Sequence, residues 1–138
     1  METIDKVLYT AKVHTTGGRD GASRSSDGNL EVKLVTPGTN RPGTNPEQLF
    51  AAGWSACFMS AIAHRAAERK LSLSPDRYID AEVDLGTNAG GFVLRARLNV
   101  HLPGVDRDVA QSLLEAAHEI CPYSKATRGN IDVELNFV

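Results

Sequence analysis

The feature that most constrains this chain is the run from Asn45 to Lys70. Within it, between Leu49 and Ala63, only Ser55 and Ser60 are clearly polar. Asn45 is a good N-cap, Pro46 suits the first helical position, and Gln48 stands in capping-box register with Asn45. Nothing breaks the pattern before the stretch Leu71 to Pro75. The run therefore predicts one helix of about 25 residues, about 37 Å long. A helix that is apolar all round is buried on all sides. Its apolar part, about 15 residues built from Ala, Gly, Ser and Cys, is too short and too weakly apolar to span a bilayer. At its middle sits Cys57, one of two cysteines.

Length turns this helix into a statement about assembly. A chain of 138 residues is expected to form a single domain, 1–138. Such a domain has a diameter of about 37 Å, so the helix would cross all of it. One small subunit would struggle to cover the helix on every side, and a homodimer wrapping two such helices is expected. The net charge of −2 gives no reason to expect nucleic acid or an anionic membrane as partner. The opening Met1 to Lys6 contains no apolar signal region, which points to the cytoplasm. There the two thiols start reduced, and a lasting structural disulfide is not expected.

The rest of the chain follows in strands. Val7, Tyr9, Ala11 and Val13 alternate with Leu8, Thr10, Lys12 and His14, a two-residue period. The turn Gly17-Gly18-Arg19-Asp20-Gly21 leads to a short strand, Ala22 to Ser25. Asp27-Gly28 then signals a hairpin into Leu30, Val32 and Leu34. Thr36 to Thr44 is a loop rich in proline and glycine. After Pro75 come strands Tyr78 to Leu85 and Phe92 to Leu102, the latter with Phe92, Leu94, Ala96, Leu98 and Val100 on one face. Asp106 can cap a second helix with Val109, Leu113, Ala116, Ala117 and Ile120 on its apolar stripe. Pro122 disfavours helix at Cys121, so that thiol falls at or just past the helix end. Ile131, Val133, Leu135 and Phe137 close the chain in strict alternation. Strands, long helix, strands, helix, strand make an α+β domain.

Few residues here could do chemistry. His14, His64, His101, His118 and the two cysteines show no metal-ligand spacing, and no phosphate-binding glycine loop is present. What remains is Cys57 on a buried helix, Cys121 beside a helix end, an arginine in a glycine turn and a carboxylate, Glu47, at a helix start. By themselves these amount to a two-thiol redox site at most. Neither thiol gains acidity from a helix dipole, and burial among apolar groups raises a thiol pKa, so activation needs a nearby cation.

Two longer blocks carry a resemblance. Asn45 to Phe58 and Ile120 to Val133 resemble the two signature blocks of the organic hydroperoxide resistance (Ohr) family, within the Ohr/OsmC superfamily. Tyr9-Thr10-Ala11 and the Arg19 turn match as well, so the likeness covers essentially the whole chain. Cys121-Pro122-Tyr123-Ser124 and Arg128-Gly129-Asn130 favour the Ohr branch over OsmC. Trp54-Ser55 departs mildly, since relatives commonly carry a smaller aromatic followed by Ala.

The resemblance implies an OsmC-like fold in an intertwined homodimer, acting as a cofactor-free thiol peroxidase on organic hydroperoxides. The reductant would be a dithiol, a dihydrolipoyl group as on a lipoylated protein, rather than thioredoxin. Cys57 matches the peroxidatic cysteine, Cys121 the resolving one, and Arg19 with Glu47 the pair that tunes the site. Phe50, Trp54, Phe58 and Met59 around Cys57 suit a greasy alkyl or fatty-acid hydroperoxide, and equally suit plain helix core. Glu47 and Cys57 lie ten positions apart, about 15 Å along one helix. Either the site is shared, with Arg19 and Glu47 from the partner, or the helix breaks near Gly53. Two other readings stand beside this one. The first is a non-enzymatic carrier of apolar ligands. The second is a cysteine hydrolase pairing Cys57 with His118 or His64, which nothing in the sequence brings within reach.

Overall fold

The structure of the protein is a computed structural model covering residues 1–138. The chain divides into two compact units, 1–46 and 47–138. In the first unit, β1 (Val13–Thr16), β2 (Ala22–Ser25) and β3 (Glu31–Lys33) form an antiparallel sheet in that order. A 3-10 turn, Gly18–Asp20, joins β1 to β2. A Cβ at Gly21 would collide with the Thr16 carbonyl oxygen, so the turn can close only on glycine. Asp27 shapes the β2–β3 hairpin by accepting from Ser25 Oγ at 2.6 Å and from the Asn29 backbone N–H at 3.0 Å.

The strand expected over Val7 to His14 is displaced, with β1 beginning only at Val13. β2 is four residues long and turns away at Ser26, so it offers β1 a ladder of four pairs, Val13↔Ser25 to Thr16↔Ala22. The alternating residues before it stand outside that ladder, Leu8 and Tyr9 being 87% and 78% exposed.

The second unit opens with α1 (Pro46–Glu68), 23 residues without interruption. α1 does not break at Gly53, so the kink that would let one chain supply the whole site is not formed. β4 (Tyr78–Asn88) and β5 (Gly91–His101) form an antiparallel hairpin, and β6 (Asp132–Phe137) adds parallel to β5. The crossover between β5 and β6 carries α2 (Arg107–Ile120) and α3 (Pro122–Thr127). Asp106 holds the N-cap position of α2 through its backbone carbonyl, which accepts from Ala110 at 2.8 Å.

The core of this unit joins α1 (Trp54, Phe58, Ala61, Ile62, Ala66), β5 (Ala96, Leu98, Val100) and α2 (Ala110, Leu113, Leu114, Ala117). Phe92 keeps the expected face of β5 but lies at the hairpin end and is 82% exposed. Arg65 Nε donates to the Ala116 carbonyl at 3.3 Å and Arg69 Nη1 to Ser112 Oγ at 3.0 Å, fixing the second half of α1 along α2. On the outer sheet face Arg97 grips Asp84 at 2.8 and 3.0 Å and also reaches Glu82, a bidentate pairing that holds the Asp84 carboxyl well below its usual range. Within the chain, α1 buries one side and leaves Ala52, Ala56 and Ser60 exposed at four-residue spacing, so its burial is one-sided. No helix is long and apolar enough to cross a membrane.

Candidate functional site

Cys57 lies mid-way along α1, half-buried, and Cys121 is fully buried; both are free thiols. Cys121 ends α2 and begins α3: its N–H donates to the Ala117 carbonyl at 2.9 Å, and its carbonyl accepts from Lys125 at 2.9 Å. Pro122 explains this double role. It stops α2, and as the first residue of α3 it has a preset φ and no N–H to leave unpaired.

The two thiols stand within hydrogen-bonding reach. Burial pushes the Cys57 thiol above its ordinary value, and Cys121, accepting from it, pushes further the same way. Against these, the Tyr123 backbone N–H donates to the Cys57 sulfur and favours thiolate. That N–H belongs to the first turn of α3, where helix geometry provides no internal acceptor. The surroundings within this unit thus bring the thiols together but disfavour the thiolate of Cys57.

The aromatic residues sort by position on α1. Phe50 lies two turns before Cys57 on the same face, with ring centroids 6.0 Å from Tyr123 and 5.4 Å from Trp54. Trp54 and Phe58 have no exposure and pack into the core, where the Trp54 indole N–H donates to Ser124 Oγ at 3.3 Å. Met59, two positions after Cys57, is turned about 200° round the helix. Of these four, Phe50 is the one that shares the face of Cys57, and it meets Tyr123 there.

Tyr123 is a site component that the sequence does not single out. A Cβ on Gly53 would stand 2.7 Å from its hydroxyl oxygen and 3.2 Å from Cζ, so the tyrosine ring occupies the place of that missing side chain. Glycine inside a helix costs about 0.5–1 kcal/mol relative to alanine, which leaves room for Tyr123 as its compensation. The only local signal is the adjacency of Tyr123 to Cys121-Pro122, whereas its contact partner lies 70 residues upstream.

Glu47 stands in the first turn of α1, half-buried, where the helix dipole favours a carboxylate. With α1 unbroken, about 15 Å of helix axis separates it from Cys57. Arg19 belongs to the first unit, exposed in the 3-10 turn. Its turn is braced by Asp20, which accepts from the Thr36 N–H at 3.3 Å, from Thr36 Oγ1 at 3.1 Å and from Arg41 at 3.0 Å. The Thr36 bonds, with Arg41, hold the Asp20 carboxyl below its usual range. His64 pairs with Glu68 at 3.3 Å on an exposed face, and His118 packs edge-on to Phe58 at 6.4 Å. No group of three or more His, Cys, Asp or Glu could hold a metal ion.

The chain is similar to several known proteins. Residues 37–136 match the model of the OsmC-like protein family. The organic hydroperoxide resistance protein of Xanthomonas axonopodis pv. citri is 50% identical, the match covering 98% of each chain. OhrB of Bacillus subtilis is 48% identical over 93% of this chain and 96% of its own. The crystal structure of that OhrB superposes with a TM-score of 0.90 over 96% of this chain and 100% of its own, at 47% identity. An organic hydroperoxide resistance protein from Legionella pneumophila gives a TM-score of 0.89 at 46% identity, covering 96% of this chain and 98% of its own.

Proposed function

The chain belongs to the OsmC-like family, in its organic hydroperoxide resistance branch, and from that premise we propose that it is a cysteine-based peroxidase reducing organic hydroperoxides to alcohols. The observation that carries the reading is the pair of free thiols, Cys57 and Cys121, in hydrogen-bonding reach beside the apolar Phe50. The Cys57 thiolate attacks one peroxide oxygen, the O–O bond breaks, and the alkoxide leaves as alcohol after taking a proton. Cys57 is left as sulfenic acid. Condensation with Cys121 forms the disulfide and releases water, and an external dithiol reopens it by exchange.

Because its own unit raises the Cys57 pKa, the mechanism needs a cation. Arg19 serves, staying charged at any working pH, with Glu47 orienting its fork. The proposed catalyst is a homodimer with each site shared: Cys57 and Cys121 from one protomer, Arg19 and Glu47 from its partner. The unbroken helix between Glu47 and Cys57 supports this sharing. The exposed Ala52, Ala56, Ser60 stripe and the exposed apolar Ile4, Val7, Leu8 and Tyr9 support the dimer. The reaction is placed in the cytoplasm, where a dihydrolipoyl group is the proposed reductant.

Turnover measured with an alkyl hydroperoxide and with hydrogen peroxide, each supplied with dihydrolipoamide or with thioredoxin, tests the reading. Fast turnover is expected only for the alkyl hydroperoxide with dihydrolipoamide; none with any combination overturns it. Sharing is tested by mixing Cys57→Ser with Arg19→Ala chains. Mixed dimers regain one intact site if it is shared, and gain nothing over Arg19→Ala dimers at neutral pH if each site lies within one chain.

A further inference from the structure

The resolving thiol is carried on a short segment that touches α1 at two successive positions. Tyr123 fills the place of a side chain at Gly53, its hydroxyl oxygen 2.7 Å from where a Cβ would stand. One residue on in both segments, Trp54 Nε1 donates to Ser124 Oγ at 3.3 Å, a bond buried from solvent. Ser124 is itself fully buried, and Thr127 Oγ1 donates to the Tyr123 carbonyl at 2.9 Å, stiffening the turn that holds both residues. Cys121 lies two positions before Tyr123, and Cys57 lies one helical turn after Gly53, on the same face.

We propose that Gly53, Tyr123, Trp54 and Ser124 form a clamp that registers Cys121 against Cys57, so that the Cys57 sulfenic acid is resolved before a second peroxide reaches it. This rests on the peroxidase reading above. Resolution makes the S–S bond and breaks the S–O bond; the sulfenic oxygen leaves as water with the thiol proton of Cys121. A competing second hydroperoxide instead takes Cys57 to sulfinic acid. The first oxidation does not need Cys121, whereas closure depends on where Cys121 stands. The side chains of Tyr123, Trp54 and Ser124, with the space left at Gly53, are positioning groups, and their effect is read in the partition between closure and overoxidation.

The decisive variant is Gly53→Ala, whose added methyl displaces the Tyr123 ring. Rapid-quench mass spectrometry after one equivalent of alkyl hydroperoxide should show closure slowed about tenfold or more relative to the oxidation of Cys57, since misplacement by about 1 Å costs that much. Excess peroxide should then accumulate sulfinic acid. Tyr123→Phe in the Gly53→Ala background removes the closest colliding atom and should recover most of the closure rate. Closure at the wild-type rate in Gly53→Ala, or no recovery in the double variant, overturns the clamp. If Gly53→Ala does not fold, Ser124→Ala decides in its place: closure slowed about threefold supports the clamp, and unchanged closure refutes it. Glutathione redox buffers give the effective concentration of the two thiols without any peroxide. A fall in that value in Gly53→Ala upholds the clamp even where wild-type protein fails to react with hydroperoxide, the outcome that would sink the peroxidase reading alone.

Discussion

The two units of the chain differ in what they keep from water. Residues 1–46 bury Ser23, Leu34 and Val35 and hold Arg19 on an exposed glycine turn, whereas residues 47–138 bury a continuous cluster running from Trp54 through Leu98 to Cys121. The first arrangement suits a group that must remain charged. The second suits two sulfur atoms that must meet with fixed geometry, and its cost is chemical, because burial disfavours the thiolate. A rigid dry unit therefore positions the thiols and an exposed one supplies the proposed cation. Neither unit contains both properties, and this division is what experiments can attack.

The largest effect is expected in the dry unit. Cys57→Ser should abolish hydroperoxide reduction while leaving thermal stability near wild type, serine being close in volume but a far weaker nucleophile. A folded variant keeping more than about a tenth of wild-type turnover breaks the assignment of Cys57 as nucleophile. Cys121→Ser should react once and then stall, with mass spectrometry finding oxygen added to Cys57. Normal turnover of that variant with a dithiol would remove Cys121 from the cycle.

The exposed unit should act more gently and through pH. Arg19→Ala should raise the pH at which Cys57 ionises, so the oxidation rate at neutral pH falls and recovers as pH rises. Glu47→Ala should shift it less, by freeing the guanidinium rather than deleting it. A thiol titration unchanged in Arg19→Ala would end the electrostatic role of that residue.

Much of this division is legible in the amino-acid sequence. The ends of α1 and β2, the hairpin turn at Asp27-Gly28 and the break at Cys121 all follow from local chemistry, in which Pro, Gly and capping residues act on their neighbours. Tyr123 over Gly53 is not legible, because nothing local tells a tyrosine which glycine it will cover. α3 is masked by the stop signal that Pro122 gives to α2, although the same ring also starts a helix. Phe92 keeps its alternation but not its burial: period assigns a face, and only the tertiary fold decides how far the covering helices extend. Of the apolar residues near Cys57, sequence proximity alone does not separate Phe50, on the thiol's face, from Trp54 and Phe58 in the core.

The smallest expected effect belongs to His118 in the dry unit. Burial, with the positive charge of Arg128, lowers its pKa below the ordinary value. Unfolded chains therefore take up its proton first as pH falls, and stability should decline from about pH 6.5 down through the lowered folded value. His118→Gln should remove that part of the acid-side loss, read as urea midpoints at several pH values between about 5 and 8. Wild-type and variant curves running parallel would show that His118 is not the group involved.

The thiol pair itself is tested most directly by counting thiols before and after one equivalent of an alkyl hydroperoxide, with non-reducing electrophoresis alongside. Both thiols of each chain, Cys57 and Cys121, should be lost, with no crosslink between chains. Two thiols still titratable after the peroxide would contradict this and leave a carrier of apolar ligands as the better reading of the same fold.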